Sequence, residues 1–173
     1  MKLTKEQLQT MMDLQGKMDE LALKNNGVDE ELDLTQEKYI ALKTELHEFI
    51  NEIEEFKFWK KNKGKDHVLE EGIDTIHFIL SLMIDYGYEM KEDLVITKEQ
   101  LEHMEDKSIN ELYVMTDALM VDTYMMRSWA EMLTSILIGI LLMLNKCGFT
   151  GDNIYDEYIR KNKINIERQE KQY

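Results

Sequence analysis

At 173 residues, the chain is long enough to form one domain with a substantial core. Asp and Glu number 35 against 21 Lys and Arg, and the resulting net charge of −14 argues against general nucleic-acid binding, because it repels phosphate backbones. The single cysteine, Cys147, excludes a disulfide framework within the chain, and the N-terminal MKLTKEQLQ has no signal-peptide core, so a cytoplasmic protein is expected.

The absence of proline and the helical period of the apolar residues predict an all-α chain. The most apolar run, Met132 to Leu144, is too short to span a bilayer. We therefore expect a buried helix there and no membrane contact.

The first helix is predicted from its capping box, Thr4-Lys5-Glu6-Gln7, to about Asn25. Gln15 lies among the apolar residues of its broad inner face. It is either a partly exposed glutamine that tolerates its place, or a side chain whose donor and acceptor read the edge of a base.

The second helix is predicted from Asp33 to about Lys61 and the third from Asp66 to about Tyr86. Each carries two acids three residues apart, which project from one face of a helix. These pairs are Glu45-x-x-Glu48 and Glu71-x-x-Asp74.

The break between these helices, Lys60 to Lys65, is short, which favours antiparallel neighbours. Such a pair can bring all four carboxylates together, and like charges at that density need a cation. Oxygen ligands select a hard ion, commonly Mg²⁺ with a phosphate substrate. Two alternatives stay open: the acids form a solvated face, or Glu70 takes the place of Glu71.

Aromatic residues and lysines alternate near the end of the second helix. Trp59 is either a rim aromatic that covers the groove or a side chain that stacks on a base, with Lys60 and its neighbours near phosphates. Phe78 lies one turn beyond Asp74 and could wall a base pocket. His77 is interpreted as structural.

The remainder of the chain is expected to contain a short helix from Thr97 to Asp106 and a helix from Ser108 to Arg127, with a restart at Ser128. The methionine-rich apolar surface beyond position 112 predicts a subunit interface. The basic segment 158–173 is, on composition alone, a solvated end.

The spacing ExxE, 22 residues, ExxD resembles the all-α nucleoside triphosphate pyrophosphatases, a superfamily that includes MazG-type enzymes and dimeric dUTPases. The stretches ELHEFINEIEEFKFWK and EEGIDTIHFILS are similar to dimeric dUTPases of the phage type, and LQGKMD resembles their first motif. KNxxNxxRQ, which begins at Lys161, matches their C-terminal motif, although Gln172 replaces the usual glycine before Tyr173. The likeness covers about residues 11 to 90 and 152 to 173.

This resemblance implies an all-α helical bundle that hydrolyses dUTP to dUMP and pyrophosphate through a metal-activated water. Two or three Mg²⁺ ions would bind the four acids, and Glu45 or Glu48 would act as the base. Uracil would contact Gln15, Trp59 and Phe78. The residues expected to bind phosphate are Lys60, Lys161, Asn162, Asn165, Arg168 and Gln169.

The resemblance also implies a homodimer of single-domain chains, with residues 88–125 a variable insertion and residues 158–173 a mobile tail that orders over the triphosphate. A repressor protein that binds some phage members is a further expected partner, and a phage-encoded chain would act in the host cytoplasm. Use of dUDP and the phosphorus attacked stay undetermined. The alternatives are a MazG-like pyrophosphatase of broader base specificity and a non-enzymatic helical interaction protein.

Overall fold

The computed structural model describes residues 1–61, 67–89, 92–95 and 106–171, and within these ranges the chain forms six helices and two short strands. The all-α prediction is confirmed. The helices are α1 (Lys5–Asn26), α2 (Thr35–Ile53), α3 (Val68–Asp85), α4 (Ile109–Met126), α5 (Trp129–Lys146) and α6 (Gly151–Glu170). The strands β1 (Lys2–Leu3) and β2 (Leu94–Val95) pair antiparallel, with Leu3 opposite Leu94.

Side-chain caps define three of the helix starts. Thr4 accepts from the backbone of Gln7 while the Gln7 side chain accepts from the backbone of Thr4, so the predicted capping box is present. Ser108 caps α4 in the same way. Thr150 does so for α6, a cap that the sequence analysis did not predict.

The helices α2 and α3 are antiparallel neighbours, as predicted. Lys38 near the start of α2 donates to Asp85 at the end of α3 over 2.6 Å, and the acids of the two helices meet at the opposite end. The predicted apolar faces are buried, which leaves the acids at the edge of the seam. The buried α2 residues are Leu42, Leu46, Phe49, Ile50 and Ile53.

The prediction that α2 runs to about Lys61 is wrong, because the helix ends at Ile53. Glu54 adopts a left-handed conformation with φ of 59°, and its carboxylate accepts from Lys57 at 3.0 Å and from Lys60 at 2.6 Å. A continued helix would place Lys60 on another face from Glu54. The contacts of Lys57 and Lys60 with the Glu54 carboxylate therefore favour the end of the helix at Ile53. Phe56, which follows the end of the helix, is 40% exposed as a result.

The helices α4 and α5 form a hairpin that turns at Arg127, where φ is 52°. The backbones approach closely at Gly139, since a Cβ there would lie 2.2 Å from the Thr116 hydroxyl oxygen. The run Met132 to Leu144 lies within α5 and supplies much of the core, which confirms a buried helix. No described helix alone is long and apolar enough to cross a membrane, although α5 and α6, bent by 108° at their junction, pass as a pair.

The final helix α6 packs along α1 with its start near the start of α1. Gln7 contacts Asp152, and Asn25 near the end of α1 donates to the backbone of Gln169 over 2.7 Å. The expected mobile tail therefore needs correction, because residues 158–170 are helical and Tyr158 is fully buried. Buried Ile154, which precedes the expected tail of residues 158–173, also anchors this helix.

Of the predicted helix from Thr97 to Asp106, only Asp106 lies within the described residues. Positions 62–65 of the predicted break and Asp66 also lie outside the described residues. The expected third-helix span otherwise agrees within two residues with α3, which begins at Val68. The restart at Ser128 is confirmed by the turn that precedes α5.

A substitution at Gly151 tests how β1 is held against α6. A Cβ at Gly151 would lie 1.8 Å from the backbone oxygen of Lys2, so Gly151→Ala must displace either the strand or the helix start. We expect a loss of about 1–3 kcal/mol in the free energy of unfolding, measured by chemical denaturation. The control is Gly16→Ala, where the nearest side-chain atom is 3.9 Å away and stability should be kept or raised. Equal stability of the two variants would contradict this packing.

Candidate active site

Three carboxylates converge at the seam between α2 and α3. Ligand oxygens of Glu45, Glu71 and Asp74 all lie within 4.8 Å of one another, and each side chain is half-buried. Glu71 and Asp74 share a face because they are three residues apart on α3. The antiparallel packing of α2 then brings Glu45 opposite them.

The fourth predicted acid, Glu48, is exposed and is not in this cluster, although its charge acts on Glu45 and Glu71. Glu70 and Glu71, the two alternatives for the third acid, take different positions. Glu71 belongs to the cluster, whereas Glu70 contacts Lys161 at 3.0 Å and His67 at 3.2 Å. Three of the four predicted carboxylates are therefore brought together.

The cluster is electrostatically crowded. Burial, followed by the charges of Asp74, Glu48 and Glu71, raises the pKa of Glu45 to about 7. Burial also raises the pKa of Glu71 and of Asp74. Oxygen-only ligands and mutual repulsion are the features of a site for a hard cation such as Mg²⁺, so these residues fit such an ion.

Lys161 of α6 supplies the positive charge closest to the cluster. Its ammonium lies 2.5 Å from the Asp74 carboxylate, and the residue is 7% exposed. Burial alone would lower the pKa of Lys161, but hydrogen bonds to Asp74 and Glu70 raise it, so the side chain stays charged.

The other residues of the C-terminal motif divide between two faces of α6. Arg168 is exposed and its charge partly offsets the rise in the pKa of Asp74, which places it on the side of the acids with Lys161. Asn162 instead donates to the backbone of Leu14 over 3.4 Å, and Gln169 accepts from Asn25. Asn165 is half-buried between these groups.

Gln15 is 1% exposed, so the interpretation as a partly exposed glutamine is wrong. Its amide nitrogen donates to Asp19 over 2.7 Å, and its oxygen accepts from the Tyr158 hydroxyl at 2.9 Å. His77 Nδ1 lies 2.7 Å from the same oxygen and must donate to it. Both ends of the Gln15 amide are therefore engaged by protein groups.

Sequence reasoning missed the partners of Gln15. Burial lowers the pKa of His77 to about 3, so the ring is neutral and Nε2 is an acceptor, for which the described residues offer no donor. Tyr158 stacks on this ring at 4.3 Å between centroids, and Ser81 donates to Asp19 over 2.6 Å. The available signal was spacing, since Asp19 follows Gln15 by one turn and Ser81 follows His77 by one turn.

Three other predicted site residues, Trp59, Lys60 and Phe78, are not among the three clustered carboxylates and have other contacts. Trp59 is 64% exposed and meets Phe56 and Phe58 edge-on, and Lys60 is paired with Glu54. Phe78 is half-buried and packs against the core.

Comparison with known proteins identifies one family. A family model described as dUTPase matches residues 7–173 of the chain. A search of curated proteins finds no match.

The raised pKa of Glu45 predicts a pH-dependent defect in the metal-free protein. Between about pH 4.5 and pH 7 the folded chain keeps a proton that the unfolded chain has lost, so stability falls as pH rises through this window. Glu45→Gln should therefore raise the melting temperature at pH 8 in chelator by about 2 °C or more, and the gain should vanish near pH 5.

Thermal melts of wild type, Glu45→Gln and a control measure this effect. Glu37→Gln removes an exposed charge at the start of the same helix and should leave the pH profile unchanged. Added Mg²⁺ should reverse the order, because wild type alone keeps the ligand. A less stable Glu45→Gln protein at pH 8 in chelator would show that the cluster is not strained.

Proposed function

The chain belongs to the dUTPase family of the all-α type and is a dUTP diphosphatase, and from that premise we propose a magnesium-dependent mechanism at the α2–α3 seam. The observation that carries the proposal is the convergence of Glu45, Glu71 and Asp74 within 4.8 Å. The products are dUMP and pyrophosphate. The ions, two or three in number, would be Mg²⁺, held by these three carboxylates and bordered by Glu48.

Glu45, Glu71 and Asp74 would hold Mg²⁺, which when bound would offset charge in the transition state and lower the pKa of the attacking water. The base would come from the ExxE pair, because Glu45 belongs to the cluster and the charge of Glu48 acts on Glu45 and Glu71. Glu45 supports the role through its raised pKa, and Glu48 through its exposed carboxylate beside the cluster.

Phosphate binding falls to the acid-facing side of α6. Lys161 and Arg168 are two turns apart on one face, so a triphosphate at the cluster would lie alongside both cations. Asn165 lies between them in sequence. Asn162 and Gln169 seat α6 on α1, and we assign their effect on the substrate to this seating.

Uracil recognition is proposed at Gln15, with Phe78 and Trp59 as the apolar and stacking groups. The support is position, because His77 binds Gln15 and follows Asp74 by one turn on α3. In this structure the Gln15 oxygen already accepts from Tyr158 and His77, so a base that donates to it must displace one of them, whereas the amide nitrogen has two N–H groups, of which one donates to Asp19. Exposed Trp59 and Lys60 would approach from the segment that follows α2.

We also propose that two chains associate through α4 and α5. Exposed apolar residues gather on α4, where Val114 is 61% and Met126 is 77% exposed. A groove of about 400 Å³ between the two helices is lined by Met115, Leu119 and other mainly apolar residues. An apolar surface of this kind is typical of a subunit interface.

The proposed reaction predicts a strict pattern of nucleotide turnover. With Mg²⁺ the protein should convert dUTP to dUMP and pyrophosphate, and with a chelator the rate should fall to background. Turnover of dCTP and dTTP should be lower by at least about tenfold. Equal turnover of the three nucleotides would establish a MazG-like enzyme of broader specificity, and full activity in chelator would exclude the metal mechanism.

The carboxylates should differ sharply from other acids of the same helices. Glu48→Gln and Asp74→Asn should each lower kcat by at least about 10²-fold while the far-ultraviolet circular dichroism stays unchanged. Glu37→Gln, the matched charge change on α2, should keep wild-type kcat. Wild-type rates in Glu48→Gln or Asp74→Asn would exclude that residue from the mechanism.

The proposed interface predicts a dimer. Sedimentation at low micromolar concentration should give about twice the chain mass of 20.6 kDa. Met115→Glu should shift the protein toward monomer, because it places a charge in the apolar groove. The control Leu32→Glu places the same charge at a residue that is 57% exposed and does not line this groove, so it should leave the dimer intact. A wild-type monomer, or dimers in both variants, would contradict an interface at this groove.

A further inference from the structure

The ammonium group of Lys161 joins two carboxylates that have different surroundings. It lies 2.5 Å from Asp74, which belongs to the three-carboxylate cluster, and 3.0 Å from Glu70, which does not. Asp74 and Glu70 are one turn apart on α3, so one cation from α6 reaches both. The lysine side chain is 9% exposed, and water therefore screens these contacts weakly.

A metal ion and this ammonium compete for one carboxylate. Lys161 contacts Oδ2 of Asp74, and a divalent cation bound to the cluster would lie within a few ångströms of the same group. Two cations at that separation repel each other strongly in a half-buried site. Metal binding at the cluster is therefore opposed while Lys161 keeps its contact with Asp74, and it favours movement of the lysine away from this carboxylate.

We propose that Lys161 is an internal counter-ion that Mg²⁺ displaces from Asp74, and that Glu70 keeps the displaced ammonium beside the site for the nucleotide phosphates. The inference rests on the proposed metal site and adds that the lysine moves from Asp74 toward Glu70 and the nucleotide phosphates when the metal binds. Glu70 is 38% exposed on its side chain and also contacts His67, so it lies at the rim where the lysine can turn toward substrate.

This exchange couples the two ligands. Metal alone must overcome the Lys161–Asp74 pair, whereas metal that arrives with a nucleotide offers the lysine a phosphate partner in return. Each ligand therefore tightens the binding of the other, because the coupling between two sites is reciprocal. In the chain without metal and nucleotide, the Lys161–Asp74 ion pair stays intact.

The first test measures Mn²⁺ affinity without nucleotide, by electron paramagnetic resonance, in wild type and two variants. Lys161→Met should bind Mn²⁺ about tenfold more tightly than wild type, within the range typical of coupled sites. Arg160→Gln removes the same charge from the neighbouring position, where the guanidinium contacts Glu157 over 2.8 Å and acts on Glu70 and Asp74 only through its field. Its affinity should change by less than about threefold.

The same variants separate exchange from general attraction when a non-hydrolysable dUTP analogue is added. The analogue should tighten Mn²⁺ binding in wild type and in Arg160→Gln. In Lys161→Met this tightening should be largely lost, because the lysine no longer links the two sites. Circular dichroism of each variant establishes that α6 is intact.

A second measurement uses wild type alone and so does not depend on the folding of a variant. Lysine acylation followed by mass spectrometry should find Lys161 protected in chelator, more reactive with Mg²⁺ alone, and protected again with Mg²⁺ and the analogue. Lys163, which is exposed on the same helix, should react equally in all three conditions.

The outcomes distinguish the two proposals. If wild type binds Mn²⁺ but Lys161→Met binds it no more tightly, or if Lys161 reactivity does not respond to Mg²⁺, the exchange is wrong and the metal site stands. If neither wild type nor Lys161→Met binds Mn²⁺, the metal site and the exchange both fail.

Discussion

The structure around the site depends on one constraint, which is the electrostatic repulsion among half-buried carboxylates. Two antiparallel helices bury their apolar faces, and that packing forces Glu45, Glu71 and Asp74 to within 4.8 Å at the edge of the seam. Burial then raises the pKa of each of these acids, and the charges of neighbouring acids add to the rise. The fold tolerates the crowding because α6 brings Lys161 into direct contact with Asp74. A ligand of opposite charge would relieve the same repulsion, which is why a strained cluster is also a binding site.

The placement of Lys161 depends on how α6 is seated. The buried Tyr158 hydroxyl shares its one proton between the Gln15 amide oxygen and the backbone oxygen of Met11, which fixes the helix against α1 one turn before the lysine. His77 extends this network to α3, the helix that carries Glu71 and Asp74. Gln15 therefore links α1, α3 and α6, two of which carry residues of the site. A change at Gln15 would alter both the base contact proposed for it and the position of Lys161, so that its effect on the affinity for nucleotide needs to be separated from its effect on stability.

Sequence alone predicted those features that depend on local spacing. The capping box at Thr4, the i,i+3 acids and the antiparallel return of α3 all follow from residues within one or two turns of each other. The features that it missed depend on long-range partners. The end of α2 at Ile53 follows from lysines that gather on Glu54, and the burial of Gln15 follows from Tyr158, 143 positions away. Composition likewise suggested a solvated tail, because the charge on Lys161 gives no sign of the two carboxylates that it meets on α3.

Charge balance also sets an order of events for the proposed reaction. The seam holds Glu45, Glu71 and Asp74, with Glu48 and Glu70 at its border, and its nearest cations are Lys161 and the more distant Arg168. A triphosphate adds several negative charges to this excess, so a nucleotide without metal would be repelled. A metal ion without nucleotide must compete with Lys161 for the Asp74 carboxylate. The combination that meets neither obstacle is a metal–nucleotide complex, because its cations neutralise the carboxylates while its phosphates receive the displaced lysine. We infer that the chain is organised to bind the two together, with Glu70 holding the lysine between its two partners.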